Sequence, residues 1–371
     1  MRTAAQLSTA AQRKIGLASL ALVVVASLVL ISLFDVDTFT GVVTLFALSC
    51  TPVQVVLAVH WAHDLPPWLA HRSRPVRGGV LLAITLGVGA VAAVLFEATV
   101  GGGNGPHFPP LVMFSIVAIV ASFWLAIVFG GWPFVLLPNK VAALAALLVA
   151  CYAIAYLLFR ALFDFSFLQG TPIYVESLDP GGAFNAWTAV TFLVTAITGM
   201  FLVRSFEFWP FERTVQPVRG LIWTAVCLVW GTTLFSLGVG LFDVDVVSFL
   251  VWVPIPLIFG GLIVLNVLRG SLFTGMKQPR RGVLNMVTSI AMGGLLTIVF
   301  YVMSPLISEI LPSGPPTYQL EIWLANATLG ITFPLLILQA EFLDFWPFST
   351  KVGQVRGNAR NRPAIHADPG S

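Results

Sequence analysis

The chain has 371 residues, of which 58% are hydrophobic and only 9% charged, and its net charge is +3. Soluble domains carry about 25% charged residues, so a protein solvated by water alone is excluded. A small net charge with no long basic tract points to no nucleic-acid partner; the implied partner is the lipid bilayer, with other membrane subunits as a second class.

An α-helix needs about 20 apolar residues to cross a hydrocarbon core of roughly 30 Å. Ten runs meet that length, near 15–34, 40–62, 78–98, 110–130, 139–160, 184–206, 218–241, 248–268, 283–305 and 319–343. The expected fold class is an all-α integral membrane protein of ten transmembrane helices. Residues 1–14 read as a cytoplasmic N-terminal segment, 15–348 as one transmembrane domain, and 349–371 as a disordered basic cytoplasmic tail.

The first run is too long for a secretory h-region, and no small-x-small cleavage site follows it before Asp35-Val36-Asp37, so it reads as a retained helix. It opens with Lys14 and closes with Leu33-Phe34-Asp35. The same pattern returns at Arg77 with Leu95-Phe96-Glu97, at Lys140 with Leu162-Phe163-Asp164 and at Arg219 with Leu241-Phe242-Asp243. A looser copy runs from Arg281 to Glu309. The basic openings are separated by 63, 63, 79 and 62 residues. That spacing predicts five repeated helical hairpins, at 15–68, 75–134, 138–211, 217–273 and 279–348. Of the 19 Lys and Arg, 18 precede odd-numbered helices, follow even-numbered ones or lie in the tail, with Arg160 the exception. Positive charge is retained on the cytoplasmic side, so both termini are expected inside a plasma (inner) membrane.

The second run ends in His60-Trp61-Ala62-His63-Asp64. Spacings of three and four put His60, His63 and Asp64 on one helical face, a set with the chemistry of a divalent-metal site. His71 is close enough to add a nitrogen. The plainer reading is a histidine pair reaching toward interfacial water. The connection 99–109 is glycine-rich. The connection 161–183 mixes phenylalanines with acids, and is read either as a short surface helix or as a cap over an outward cavity.

The sixth run carries Asn185, Thr188, Thr191, Thr195 and Thr198 at steps of three and four, a polar face along the whole helix. Such a face either packs against a neighbour through hydroxyl–carbonyl bonds or lines a path for a polar solute. The eighth run holds Pro254 and Pro256 and the tenth Pro334. Interrupted helices free carbonyls that need a partner or a wet cavity. Even-numbered runs end in Trp132-Pro133-Phe134, Trp209-Pro210-Phe211 and Trp346-Pro347-Phe348, with tryptophan suited to the headgroup level.

Asp35, Glu97, Asp164, Asp243 and Glu309 recur at the outer ends of odd helices. They read either as local caps and hydrated turn residues or as an outer acidic ring attracting cations. Glu207, Glu341 and Asp344 lie near the inner turns with Arg204 and Arg213, as expected of interfacial pairs. Cys50, Cys151 and Cys227 fall inside spans, which leaves no disulfide framework. Phosphate-binding glycine loops, GxSxG, HExxH and CxxC are missing from the sequence, and no cofactor is indicated. The sequence therefore leads to a permease-like transporter of a small solute, with an accessory membrane subunit and a membrane metalloenzyme as alternatives.

Overall fold

The computed structural model describes residues 8–61 and 65–349. The expectations for residues 1–7, for His63 and Asp64, and for the tail beyond Ser349 lie outside the described residues. Ten helices long and apolar enough to cross a membrane follow one another. They are α1 (Thr9–Ile31), α2 (Val36–His60), α3 (Arg74–Gly101), α4 (Pro109–Val128), α5 (Lys140–Leu162), α6 (Ala186–Ser205), α7 (Val218–Leu241), α8 (Val246–Val267), α9 (Arg280–Ile307) and α10 (Gln319–Phe342). Between α5 and α6 two short strands, β1 (Phe163–Asp164) and β2 (Phe184–Asn185), pair in parallel. The connection 161–183 thus folds around this ladder and two single helical turns.

Local chemistry sets the helix starts. The Ser8 hydroxyl accepts the Ala11 N–H at 3.2 Å, so α1 begins six residues before its apolar run. Side-chain acceptors cap four more helices: Asp35 at α2, Asn139 at α5, Asn185 at α6 and Asp245 at α8. Each satisfies N–H groups that the first turn leaves without partners. Prolines open α3 and α4, where a missing N–H costs nothing.

The ends of α4, α6, α8 and α10 share a second device. Two consecutive residues turn left-handed at Gly130–Gly131, Glu207–Phe208, Arg269–Gly270 and Asp344–Phe345. The second N–H of each pair folds back onto the helix, as in Gly131 N to Leu125 O at 2.8 Å and Phe345 N to Gln339 O at 2.9 Å. This closes the last orphan carbonyls. The Trp-Pro-Phe segments follow at three of these turns, each with a cis Trp–Pro peptide.

The helices form two layers. Within their most apolar stretch the even helices are 67–72% buried and the odd helices only 17–28%. The five even helices close into a ring, with α2 packed on α4, α4 on α6, α6 on α8, α8 on α10 and α10 on α2. Each odd helix lies outside it in a groove: α3 on α2 and α10, α5 on α4 and α2, α7 on α6 and α4, α9 on α8 and α6. Helix α1 follows the same pattern against α10 and α8 and so joins the two ends of the chain. Val25, Val94, Leu157, Val229 and Leu295, one from each odd helix, are exposed on the outer surface, where lipid tails would solvate them.

The pairs that pack along their length, such as α6–α7 and α8–α9, are joined through the basic face, the end of the bundle where the Lys and Arg cluster. Within a hairpin such as 75–134, contact lies mainly at the opposite, acidic face, where Glu97–Gly101 meets α4. In lipid no hydrophobic force drives helices together, so small residues at the seams matter. A Cβ on Gly260 would collide with the Ser289 carbonyl, and one on Gly293 with the Pro256 carbonyl. The backbones of α8 and α9 are in contact at that crossing.

Candidate functional site

The axis of the even-helix ring is the one place that all five inner helices border. Across its middle, Phe333 of α10 meets Phe123 of α4 edge to face, with ring centroids 5.6 Å apart. It also meets Phe259 of α8 at 6.2 Å. Helices α4 and α10 are not neighbours in the ring, so the Phe123–Phe333 contact crosses the centre. The three rings are 5%, 1% and 2% exposed for Phe123, Phe259 and Phe333 and plug the axis. Beside the plug, the Gln54 amide of α2 donates to the Pro334 carbonyl at 2.8 Å. An amide here costs several kcal/mol if left unpaired in hydrocarbon, and the bond ties α2 to α10.

Toward the basic face the axis turns polar. Three residues before the first left-handed residue at the ends of α4, α6, α8 and α10 stand Ile127, Arg204, Asn266 and Glu341. Equal spacing from the same turn puts them at one level, and all four are half-buried. The Asn266 amide donates to Glu341 Oε1 at 3.0 Å. Arg204 lies within electrostatic reach of Glu341, and α6 and α10 are not ring neighbours, so that attraction also spans the centre. Counting 1.5 Å per residue, the aromatic plug lies about 6–12 Å farther from the basic face. In α4, α8 and α10 the last turns widen to π geometry, at Trp124–Val128, Ile263–Val267 and Leu338–Phe342. Such turns are frequent at functional sites.

Around this level the ends are tied by charge. Asp344 receives Arg269 at 2.7 Å and Arg74 at 3.2 Å, joining the ends of α8 and α10 to the start of α3. Arg269 also covers the Phe345 ring at 4.7 Å. Glu207 pairs with Arg281 at 2.6 Å.

The residues singled out in sequence take the following places. Asn185 caps α6 through Trp187 N at 3.0 Å, and Thr188 is half-buried. Thr191, Thr195 and Thr198 are buried, and their hydroxyls bond carbonyls. Thr195 reaches Thr191 O and Thr198 reaches Thr195 O, both at 2.6 Å, while Thr191 reaches Val246 O at 3.4 Å. Thr198 also accepts the Trp230 indole at 2.8 Å. Pro254 and Pro256 are buried where α8 breaks at Val253, and the Pro256 carbonyl faces Gly293 of α9.

Three of the outer acids, Asp35, Glu97 and Asp164, bond local turns at the ends of the lipid-facing helices. Asp35 accepts Thr38 N at 2.9 Å, and that bond, with the Thr38 hydroxyl, holds its carboxyl below the usual range. Glu97 accepts Gly105 N at 2.8 Å, and Asp164 accepts Ser166 N at 3.0 Å. Asp243 and Glu309 are exposed. A separate acid, Asp245, accepts Val247 N, Ser248 N and the Tyr318 hydroxyl, the last at 2.8 Å. Partial burial pushes its carboxyl up, and these bonds outweigh it, so the net shift is downward. Desolvation and the bond to Asp245 raise the Tyr318 phenol to about 12.

His60 packs against Gly131, and its Nε2 is buried without a hydrogen-bond partner among the described residues. No group of three His, Cys, Asp or Glu that could hold a metal occurs among the described residues. Cys50 abuts Gly89 and Cys227 abuts Gly199 at helix seams.

Sequence reasoning did not select Phe123, Phe259 or Phe333, which are three among 29 phenylalanines. The signal for Arg204 and Glu341 was available, because each stands five residues before the tryptophan of a Trp-Pro-Phe segment; the turn after Asn266 carries no such mark. No family model matches the chain, and no curated protein or solved structure matches it. The chain is an all-helical, multi-pass membrane protein.

Proposed function

We propose that the protein is a permease-like transporter whose small solute moves along the axis of the five even helices, and that the aromatic plug is the closed gate. The observation that carries this reading is the meeting of Phe123, Phe259 and Phe333 at the centre of a closed ring. A scaffold needs no ring around an axis, whereas a path needs both a ring and a closure. The polar level at Arg204, Asn266 and Glu341 supplies the donors and acceptors that a solute meets at the mouth. The path follows the axis in preference to the threonine face, whose hydroxyls are engaged with carbonyls.

In the same reading the basic face is cytoplasmic, both termini lie inside, and the membrane is the plasma (inner) membrane. The chain is one helical pair copied five times. In support, glycines near the starts of α1, α3, α7 and α9 all abut a residue at or just past the end of an even helix: Gly16 on Val267, Gly78 on Leu343, Gly220 on Phe129 and Gly282 on Phe206.

The test is flux through purified protein in liposomes, using a panel of small ions and polar solutes. Phe333→Ala, alone and with Phe123→Ala, is expected to raise passage of at least one solute tenfold or more over the unaltered protein. If neither variant passes any member of the panel while both remain folded, the transport reading fails. A second reading, an accessory subunit, draws on the exposed Phe167, Ile173 and Ile310 at the acidic face. It predicts co-purification with a stoichiometric partner protein.

A further inference from the structure

We infer that a cavity at the basic face, between the end of α2 and the start of α5, holds the headgroup and upper acyl chain of an anionic phospholipid. The inference is independent of the transport reading, since this cavity opens beside the ring and away from its axis.

The cavity encloses about 220 Å³, and its lining includes His60, Trp61, Pro138, Lys140, Leu144 and Leu147. The one-turn helix Phe134–Leu136 flanks it. Its walls change character with depth. Pro138 and Lys140 are exposed at the mouth, Leu144 is half-buried, and Leu147 at the floor is 2% exposed. Seven residues of α5 separate Lys140 from Leu147, a descent of about 10 Å. The space therefore starts at the level of a headgroup and runs into hydrocarbon.

The chemistry of the lining selects the occupant. Lys140 brings positive charge to the mouth, on the face where Arg72, Arg74, Arg77 and Arg219 also cluster. Such a face attracts anionic lipid, and basic pockets between membrane helices bind anionic headgroups. His60 contributes a buried Nε2 with no partner among the described residues. An unmet polar atom of that kind is costly to keep out of water, and a phosphate or glycerol oxygen would supply its partner. The apolar wall of Ala143, Leu144 and Leu147 offers nothing to a free phosphate but matches the first carbons of an acyl chain. Drug-sized ligand pockets span about 300–1,000 Å³; this smaller space suits part of a molecule whose remainder lies in the bilayer.

The experiment uses the full chain, exchanged into phosphatidylcholine nanodiscs and titrated with phosphatidylglycerol, with bound lipid counted by native mass spectrometry. Retention of phosphatidylglycerol at least tenfold above phosphatidylcholine is expected. Lys140→Gln, which removes the charge, and Leu144→Trp, which fills the cavity, should each cut that retention fivefold or more. Ala143→Leu fills the cavity from the same wall and replaces Leu144→Trp if that variant does not fold. Inorganic phosphate at millimolar concentration should leave the lipid in place. Equal retention of the two lipids, unchanged retention in folded variants, or displacement by phosphate alone would each overturn the inference.

Discussion

Phe123 and Phe333 stand edge to face across the centre of the bundle, on helices that are not neighbours in the inner ring, with centroids 5.6 Å apart at an interplanar angle of 80°. Edge-to-face aromatic pairs contribute about 0.5–1.5 kcal/mol beyond the area they bury. A double-mutant cycle with Phe123→Leu and Phe333→Leu, read by unfolding in detergent, should return a coupling of about that size. A coupling of zero would mean the rings do not meet.

The α8–α9 crossing is predicted to be the seam least tolerant of added volume. Gly293→Val places methyl groups against the Pro256 carbonyl, and overpacking of this kind costs roughly 1–3 kcal/mol or more. Gly294→Val, one residue on, faces open space and should leave thermal stability within about 0.5 kcal/mol. Similar melting temperatures for the two variants would contradict the close backbone approach.

Much of this architecture was legible in the sequence, and the reasons differ by element. Run length alone marks ten spans, because lipid leaves the backbone no alternative to helix. The caps at Asp35, Asn139 and Asp245 follow from residue type and place. The two-layer arrangement was hidden, because a lipid-facing valine such as Val229 and a buried one such as Val117 are equally apolar, and hydropathy does not separate them. Spacing of three and four made Thr191, Thr195 and Thr198 resemble a lined path, yet the same spacing lets the Thr195 and Thr198 hydroxyls return to carbonyls of the preceding turn, while Thr191 bonds Val246 O of α8. Phe259 and Phe333 carry no local mark, since their role depends on which helix lies opposite.

Asp344 holds two arginines from different helices, so removing its charge should cost more than a surface pair does. Asp344→Asn leaves the Arg74 and Arg269 guanidinia without their carboxylate, and a loss of roughly 1–3 kcal/mol is expected. The loss should shrink as salt rises, since both partners are partly exposed. A salt-independent change would point to packing instead of charge.

The Tyr318–Asp245 bond at the acidic face defines a stability window. Tyr318 has a raised folded-state pKa, so its contribution is complete below the ordinary phenol value of 10 and is lost as pH climbs through about 12. Asp245 has a lowered one, so its contribution is present above the ordinary 3.8 and disappears as pH falls through the depressed value. Subtracting the ultraviolet titration of Tyr318→Phe from that of the unaltered protein should isolate one phenol with a midpoint near 12. A midpoint near 10 would show that the bond is not made.

The arrangement of five inner helices around a closed axis is tested most directly by joining its two sides. With Cys50, Cys151 and Cys227 replaced by alanine, Phe123→Cys and Phe333→Cys in one chain should be linked by a short bifunctional thiol reagent. A Phe123→Cys, Val94→Cys pair, with its second thiol on the lipid-facing surface, should remain unlinked. Efficient linkage of the first pair alone is the predicted result. Failure to link it in folded protein, or equal linkage of both pairs, would contradict the ring.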